Sequence, residues 1–291
     1  MKSDSGATTS LWMATAELPT GQKLERDTRA EVCVIGAGIS GLTTAYLLAK
    51  EGRSVAILDD GPLAGGETSR TTAHLTNVID DRYQWIEQLH GEEGARLTAE
   101  SHTAAIDRIE AIVREEGIAC DFERVDGYLF NPREGSQEDL PHELESAHHA
   151  GLRGIELLDR VPWDFFDTGP CLRFPRQAQF HPLRYLGAMA EAFRRAGGKI
   201  FTDTHAAEIA GGSPARVTTA GGATVTADAV VVATNSPVST RFAIHTKQAP
   251  YRTYVIGARV PRGAIPRALY WDTLSPYHYI RLQQAPQAEE E

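Results

Sequence analysis

Near the start of the chain, blocks of apolar positions alternate with polar ones and predict a strand, a helix and a second strand. The run Val32–Ile35 is apolar throughout and ends at Gly36, which is typical of a buried strand. Between residues 39 and 50, alanine and leucine side chains recur along one helical face. Residues 54–58 form the next apolar run and are followed by two aspartates. The pattern therefore predicts a βαβ unit.

The rest of the chain has weaker but usable patterns. Residues 161–180 contain three prolines and are predicted to be an irregular connection. Residues 250–282 alternate aromatic and polar side chains, which favours an antiparallel sheet. Glycine pairs separate three short segments that predict a β-meander. We expect helices over 82–117, 139–150 and 182–196, strands over 121–130 (bent at Gly127), 155–158, 199–202 and 229–234, and meander segments over 206–209, 216–219 and 224–226.

The turn between the first strand and the first helix has the spacing of a phosphate-binding loop. It consists of Gly36, Ala37, Gly38, Ile39, Ser40 and Gly41. In a GxGxxG turn the first glycine allows the tight turn, the second lets a pyrophosphate approach the backbone, and the third lets helix and strand pack closely. The pyrophosphate then lies at a helix N-terminus, where free N–H groups and the helix dipole favour an anion. We therefore expect this turn to bind a dinucleotide.

An acidic pair after the second strand extends this prediction to the nucleotide's ribose. Asp59 lies near the spacing expected for an acid that accepts hydrogen bonds from ribose hydroxyls, and Asp60 follows it. NAD and FAD both fit the turn itself. A long segment separates this βαβ unit from the next apolar strand of the same type, predicted over 229–234, and a β-meander precedes that strand. Both features favour FAD.

Composition and charge exclude several other classes of protein. Net charge is −10 over 291 residues, which makes a nucleic-acid binder improbable. No apolar run is long enough to span a bilayer, and the N-terminus does not resemble a secretory signal. None of the three cysteines stands in a CxxC or CxH pair, so we predict no metal site, no disulfide framework and a cytoplasmic location.

Several segments resemble a known family. Residues 31–42 are similar to the N-terminal FAD motif of the FAD-dependent amine and D-amino-acid oxidase (glycine oxidase-like) family. Residues 66–76, 177–182 and 277–282, together with Ser10-Leu11-Trp12, resemble the branch whose full-length members carry a Rieske iron–sulfur domain after the flavin domain. Members continue beyond the segment that resembles 277–282, so the chain looks C-terminally truncated.

The resemblance implies an α/β fold with two domains and an oxidoreductase activity. We expect a Rossmann-like FAD-binding domain and a second, mainly antiparallel α+β substrate domain. The expected reaction is oxidation of a C–N bond of a small amine or amino acid by hydride transfer to flavin N5, with oxygen or a redox partner as electron acceptor. The predicted division is an arm over 1–29, an FAD-binding domain over 30–82 and 182–240, a substrate domain over 83–181 and 241–282, and a polar tail over 283–291.

The same resemblance assigns site residues. Arg70, Thr71 and Thr72 are expected to contact the cofactor, as are Ala233, Thr234 and Asn235, which end a predicted parallel strand. His74 is expected to form hydrogen bonds near the flavin ring rather than to tether it covalently. Late aromatic and basic residues either line a substrate pocket, with an arginine pairing a substrate carboxylate, or form cross-strand pairs of a sheet: Tyr251, Arg252, Tyr254, Trp271, Tyr277, His278 and Arg281. The catalytic candidates are His74, Tyr254 and Arg281.

Two alternatives remain at this point. The first is an NAD(P)-dependent dehydrogenase, which would use the same glycine turn. The second is a truncated flavin-binding module without turnover.

Overall fold

The computed structural model describes residues 8–132, 139–236, 238, 249, 251 and 253–284. The chain divides into two compact units. Unit 1 contains Met1–Thr71, Ile118–Cys120 and His181–Val255, and unit 2 contains Thr72–Gly117, Asp121–Phe180 and Ile256–Glu291.

The helices and strands follow one another in a mixed order. In chain order they are α1 (Leu11–Thr15), β1 (Thr28–Ile35), α2 (Ile39–Lys50), β2 (Val55–Leu58), a 3-10 turn (Glu67–Arg70), β3 (His74–Leu75), α3 (Tyr83–Glu115, interrupted at Gly91), β4 (Glu123–Phe130), α4 (Leu140–His149), β5 (Glu156–Leu158), β6 (Cys171–Gln179), α5 (Pro182–Arg195), β7 (Lys199–Phe201), β8 (Ala206–Ala210), β9 (Ala215–Thr219), β10 (Thr224–Val232), β11 (Leu269–Asp272) and β12 (Tyr279–Arg281).

Unit 1 is built around a six-stranded sheet in the order β7-β2-β1-β10-β9-β8. The first four strands are parallel, and β9 and β8 join them antiparallel as the predicted meander. The apolar β1 and β2 are buried in the core, and α2 and α5 pack together. The segments 224–226 and 229–234, predicted to be separate, belong to one strand, β10, up to Val232. The predicted Rossmann-like α/β fold is confirmed.

Unit 2 contains the second sheet, in the order β12-β11-β4-β6-β3, with β5 also paired to β6. The predicted irregular connection is confirmed for 161–170 but was wrong over Cys171–Gln179, because β6 is a central strand of this sheet. Pro175 is tolerated there because the pairing between β4 and β6 shifts register between Val125 and Gly127, so its missing N–H breaks no ladder. The register shift lies next to Gly127, where the sequence predicts a bend.

The predicted antiparallel sheet over 250–282 is largely absent from the described part of that segment. Only β11 and β12 form, and β11 pairs parallel to β4. Residues 253–268 form no strand, so their alternating aromatic and polar side chains do not belong to a sheet. Arg252 lies outside the described residues.

The division of the chain differs from the predicted one at several boundaries, including residues 118–120 and the segment up to Val255, which belong to unit 1. Unit 2 begins at Thr72 rather than near 82, because β3 pairs with β6 of that unit. The predicted N-terminal arm packs on unit 1 through α1, whose Trp12 is only 6% exposed. No helix within the described ranges is long and apolar enough to cross a bilayer.

Candidate functional site

The glycine turn of unit 1 has no room for side chains at two of its three glycines. Gly36 has a φ of +104°, and a Cβ there would lie 2.5 Å from the Ala233 carbonyl oxygen. A Cβ on Gly41 would lie 1.9 Å from the carbonyl oxygen of Gly36. These contacts with the chain's own backbone explain why both positions require glycine.

The middle glycine differs, because the space beside it is open. A Cβ on Gly38 would meet only the Thr68 hydroxyl oxygen, at 3.3 Å, and its φ is ordinary. Gly38 is the N-cap of α2 and provides no side-chain cap. The Ile39 N–H donates to Thr68 Oγ1 at 3.2 Å, while Ser40 lies exposed in the first turn. A partly buried turn, a helix whose N-cap residue has no side chain and open space on most sides of Gly38 fit a pyrophosphate.

Asp59 directly follows β2 and supports the turn. Its Oδ2 accepts from the Ala37 N–H at 2.6 Å, and its Oδ1 accepts from the Gly61 N–H at 2.9 Å. Burial raises the pKa of the Asp59 carboxyl, while these two amide bonds act in the opposite sense. A carboxylate has lone pairs beyond the two used here, so Asp59 can also accept from ribose hydroxyls. Asp60 is exposed and lies 3.7 Å from the His205 ring nitrogen.

The residues after β10 border the same turn. The Ala233 N–H donates to the Ile35 carbonyl at 2.8 Å, which extends the parallel pairing of β10 with β1. Thr234 Oγ1 donates to the Ser236 carbonyl, and Asn235 has a φ of +61°. The carboxyl ends of β1, β2 and β10 therefore bring Gly36, Asp59 and Ala233 to one edge of the sheet, which is where open α/β sheets bind ligands.

The segment around Arg70 is held by the N-terminal helix. Ser10 Oγ donates to the Ser69 carbonyl at 2.6 Å, and Trp12 Nε1 donates to the Thr71 carbonyl at 2.8 Å. The Arg70 guanidinium donates to Ser69 Oγ at 3.0 Å. Thr71 itself is exposed. The loop that carries the predicted cofactor contacts is thus positioned by residues near the start of the chain.

His74 belongs to unit 2, where β3 pairs with β6. Its ring lies 5.4 Å from the Tyr279 ring and 6.1 Å from the Trp271 ring, measured between centroids. Burial lowers the pKa of His74 to about 3, and the nearby Arg281 charge acts in the same direction. The imidazole is therefore neutral at ordinary pH, and its buried Nε2 has no hydrogen-bond partner among the described residues.

Arg281, one of the two arginines considered as partners of a substrate carboxylate, donates to backbone oxygens and to Gln283 Oε1. Its Nη1 lies 2.9 Å from the Thr72 carbonyl oxygen, 3.0 Å from that of Ala73 and 3.4 Å from that of Phe180. Burial lowers its pKa to about 10. Because the guanidinium holds these carbonyls, we interpret Arg281 as a residue that positions the Thr72–Ala73 backbone. Thr72 contributes its carbonyl oxygen to this arrangement, and its side chain is exposed.

A cavity of about 420 Å³ lies within unit 2. We call it the acidic cavity, because Asp80 and Asp81 are the formally charged residues among the described residues that line it. It is lined by Thr72, His74, Thr76, Val78, Ile79, Asp80, Asp81, Ile86, Thr98, His102, Trp271 and Tyr279.

The structure does not place every predicted catalytic residue in a site. Tyr254 is 92% exposed in a segment without helix or strand. Tyr251 is equally exposed. His278 lies in the loop between β11 and β12, where its Nδ1 is 2.7 Å from Asp272 Oδ2.

Sequence reasoning missed two residues near the glycine turn. Thr68 bonds the first amide of α2, and Trp12 holds the Thr71 carbonyl. The sequence signals for Thr68 are a hydroxyl inside a glycine-rich loop and its place in the segment 66–76 that resembles the family. The isolated apolar Leu11–Trp12 pair in a polar arm hinted that this arm docks, although not where.

Comparison with known proteins identifies relatives of this architecture. A family model described as FAD dependent oxidoreductase (DAO) matches residues 31–286. The chain is 35% identical over 208 residues to the Rieske 2Fe-2S iron-sulfur protein YhfW of Bacillus subtilis (strain 168), a match that covers 72% of the chain and 40% of that protein. It is 29% identical over 219 residues to gamma-glutamylputrescine oxidoreductase of Escherichia coli (strain K12), covering 73% and 50%. The chain thus spans half or less of these two relatives.

Solved structures show the same fold at low sequence identity. L-proline dehydrogenase from P. horikoshii matches with a TM-score of 0.62 and 18% identity, covering 86% of this chain and 65% of that one. Glycine oxidase from Geobacillus kaustophilus matches with a TM-score of 0.55 and 20% identity, covering 71% and 55%.

Proposed function

Since the chain belongs to the DAO family of FAD-dependent oxidoreductases, we propose that it binds FAD and oxidises a C–N bond of a small amine or amino acid. The observation that carries this proposal is the glycine turn with open space at Gly38, bordered by Asp59 and the end of β10. Unit 1 is the proposed FAD-binding domain and unit 2 the proposed substrate domain.

The roles we propose for the chain's residues follow from their positions. The backbone of Gly36–Gly41 and the N-terminus of α2 would hold the pyrophosphate, and Asp59 would accept from the adenosine ribose. Thr68 and Arg70 would complete the phosphate contacts. Ala233–Asn235 would border the cofactor from the neighbouring strand end. When bound, FAD supplies the acceptor for a hydride from the substrate carbon.

Residues of unit 2 would orient the substrate and exclude water from it. His74, which burial keeps neutral, cannot act as a cationic group there and would serve as a hydrogen-bonding residue. The reacting nitrogen must be neutral, because its lone pair assists loss of the hydride.

The electron acceptor and the location of the protein are also proposals. Similarity to a Rieske 2Fe-2S protein supports a redox partner as acceptor, with oxygen as the alternative. The three cysteines are free and buried, which supports a reducing compartment and a cytoplasmic location.

Substrate-driven bleaching tests the activity. The chain is purified and reconstituted with FAD, and amines and amino acids are added one at a time without oxygen. We expect loss of the oxidised flavin absorption with at least one of them and its return when air or an acceptor is admitted. Bound FAD that no amine or amino acid bleaches would contradict the proposed activity, and a chain that binds only NADH would contradict the cofactor.

A further inference from the structure

A buried histidine of unit 1 connects the N-terminal helix to the loop that carries the proposed phosphate contacts. Resting on the proposed function, we propose that His181 is a positioning residue of the FAD site: it fixes α1, and α1 fixes the backbone on both sides of Arg70. The residues involved all belong to unit 1. Three links carry the effect, from α1 to the loop, from His181 to α1 and from His181 to α5.

The first link joins α1 to the loop around Arg70. Ser10 Oγ donates to the Ser69 carbonyl at 2.6 Å. Trp12 Nε1 donates to the Thr71 carbonyl at 2.8 Å. These two carbonyls flank Arg70, for which we propose a phosphate contact. Because α1 holds both neighbours of this arginine, a displacement of α1 would move the backbone from which the guanidinium extends.

The second link joins His181 to α1. The Nε2 of His181 lies 2.9 Å from Thr15 Oγ1, at the last residue of α1. The Thr15 hydroxyl donates its proton to the Leu11 carbonyl at 2.6 Å, so it accepts the N–H of the histidine. The His181 ring also meets the Trp12 ring edge to face at 5.0 Å between centroids, and His181 is only 1% exposed. The histidine therefore holds the end of α1 and packs against the indole that holds the loop.

The third link joins His181 to α5, of which it is the N-cap. Its Nδ1 accepts from the Arg184 N–H at 3.3 Å, and its backbone N–H donates to the Cys120 carbonyl at 2.7 Å. Because Nδ1 accepts a hydrogen bond, the ring proton lies on Nε2, the nitrogen that faces Thr15. Each ring nitrogen thus has its own partner, one in α5 and the other in α1.

The use of histidine at this cap supports the role toward α1. Asparagine, aspartate and serine are the preferred N-cap residues, because a short side chain reaches the first amides of a helix. A histidine adds a second nitrogen on the far side of its ring. At His181 that nitrogen reaches Thr15, 166 residues away in the chain. Capping of α5 alone therefore does not require this side chain.

Two replacements of His181 separate the cap from the link to α1. His181→Asn keeps an acceptor for the Arg184 N–H but is too short to reach Thr15. His181→Gln places an amide N–H near the position of Nε2 but is a poorer cap. In FAD titrations of the full chain, we expect about fivefold weaker binding in His181→Asn and a smaller loss in His181→Gln. A histidine that served α5 alone would give the reverse ranking, since asparagine is the better cap.

Substitution of Thr15 tests the same link from the side of α1. Thr15→Val keeps the shape of the side chain and removes the hydroxyl, while Thr15→Ser keeps the hydroxyl and is the matched control. We expect Thr15→Val to weaken FAD binding by a similar factor and Thr15→Ser to bind FAD like the wild type. The Arg184 guanidinium still reaches the Thr15 carbonyl at 3.4 Å in each variant, so α1 is loosened and folding is retained, which thermal melts verify.

A double-mutant cycle tests whether His181 acts through the indole of α1. The variant that combines His181→Asn with Trp12→Phe should lose less FAD affinity than the product of the two single losses, because both changes release the same loop. Losses that multiply would show independent routes to the cofactor and would overturn the proposed action through Trp12.

Hydrogen exchange on the flavin-free chain provides a readout that does not depend on the cofactor. We expect His181→Asn to speed the exchange of backbone amides over residues 10–16 and 67–71. Unchanged exchange there would overturn the proposal, as would wild-type FAD affinity in the folded His181→Asn and Thr15→Val variants. A wild-type chain that takes up no FAD would instead contradict the proposed function, and faster exchange in His181→Asn would still show that this histidine holds the loop.

Discussion

The glycine turn of unit 1 and the acidic cavity of unit 2 are assembled in opposite ways. The turn is made by six consecutive residues whose backbone atoms form the surface, with one carboxylate, Asp59, behind it. The cavity is made by side chains from β3 and its flanking loops, from α3, and from the distant strands β11 and β12. A site built from backbone is sensitive to added atoms, while a site built from side chains is sensitive to lost ones. The comparison is therefore testable by substitution.

Gly41→Ala should have the largest effect. The added Cβ would lie 1.9 Å from the Gly36 carbonyl oxygen, so strand and helix must separate. We expect a loss of unfolding free energy of about 3 kcal/mol and no FAD binding, measured by urea unfolding and flavin absorption. Gly211→Ala is the control, because a Cβ there meets nothing within 4 Å. Equal effects of the two substitutions would contradict the packing argument.

Among the substitutions in unit 2, Arg281→Ala should lower the free energy of unfolding most. It leaves the carbonyl oxygens of Thr72, Ala73 and Phe180 without this donor, and we expect a cost of about 2–3 kcal/mol in urea unfolding. Arg281→Lys should recover part of it. A variant that keeps wild-type stability but shows a raised KM only for substrates with a carboxylate would instead indicate that Arg281 binds substrate.

Trp12→Phe separates positioning of the cofactor loop from packing. The change keeps the aromatic ring but removes the bond to the Thr71 carbonyl. We expect a loss of about 1 kcal/mol and FAD affinity weakened about fivefold. Trp163→Phe in unit 2 is the control: this tryptophan is 4% exposed, and its Nε1 has no hydrogen-bond partner among the described residues. It should lower stability and leave FAD affinity unchanged; equal affinity losses would argue against a positioning role for Trp12.

His74 should make the stability of unit 2 depend on pH. Burial lowers its folded-state pKa to about 3, below the ordinary value of about 6.5. The unfolded chain therefore takes up this proton first, and stability is fully present above about pH 6.5 and declines as pH falls toward 3. The slope should stay below ~1.4 kcal/mol per pH unit. His74→Asn should flatten the profile between about pH 6.5 and 5, measured by urea unfolding at each pH.

Sequence patterns predicted unit 1 better than unit 2 for a physical reason. The bounds of α2 were predicted correctly because its glycine turn and its apolar face are both local features. The strand β6 was missed because Pro175 argues against a central strand. The proline is accommodated by the register shift in the pairing of β6 with β4, which the sequence does not reveal. Tyr254 and Arg281 were chosen by residue type, which does not reveal that one is exposed and the other holds backbone carbonyls.

A titration with FAD of the wild-type chain and of Gly38→Ala tests the central claim most directly. The added Cβ would press only on Thr68 Oγ1, at 3.3 Å, and a small shift of that side chain relieves the contact, so stability should fall by less than about 1 kcal/mol. It would project into the space where we place the pyrophosphate. The account predicts FAD binding by the wild type and a large loss of affinity in the folded variant. Equal FAD affinity in the two proteins, or no FAD binding by the folded wild type, would contradict it.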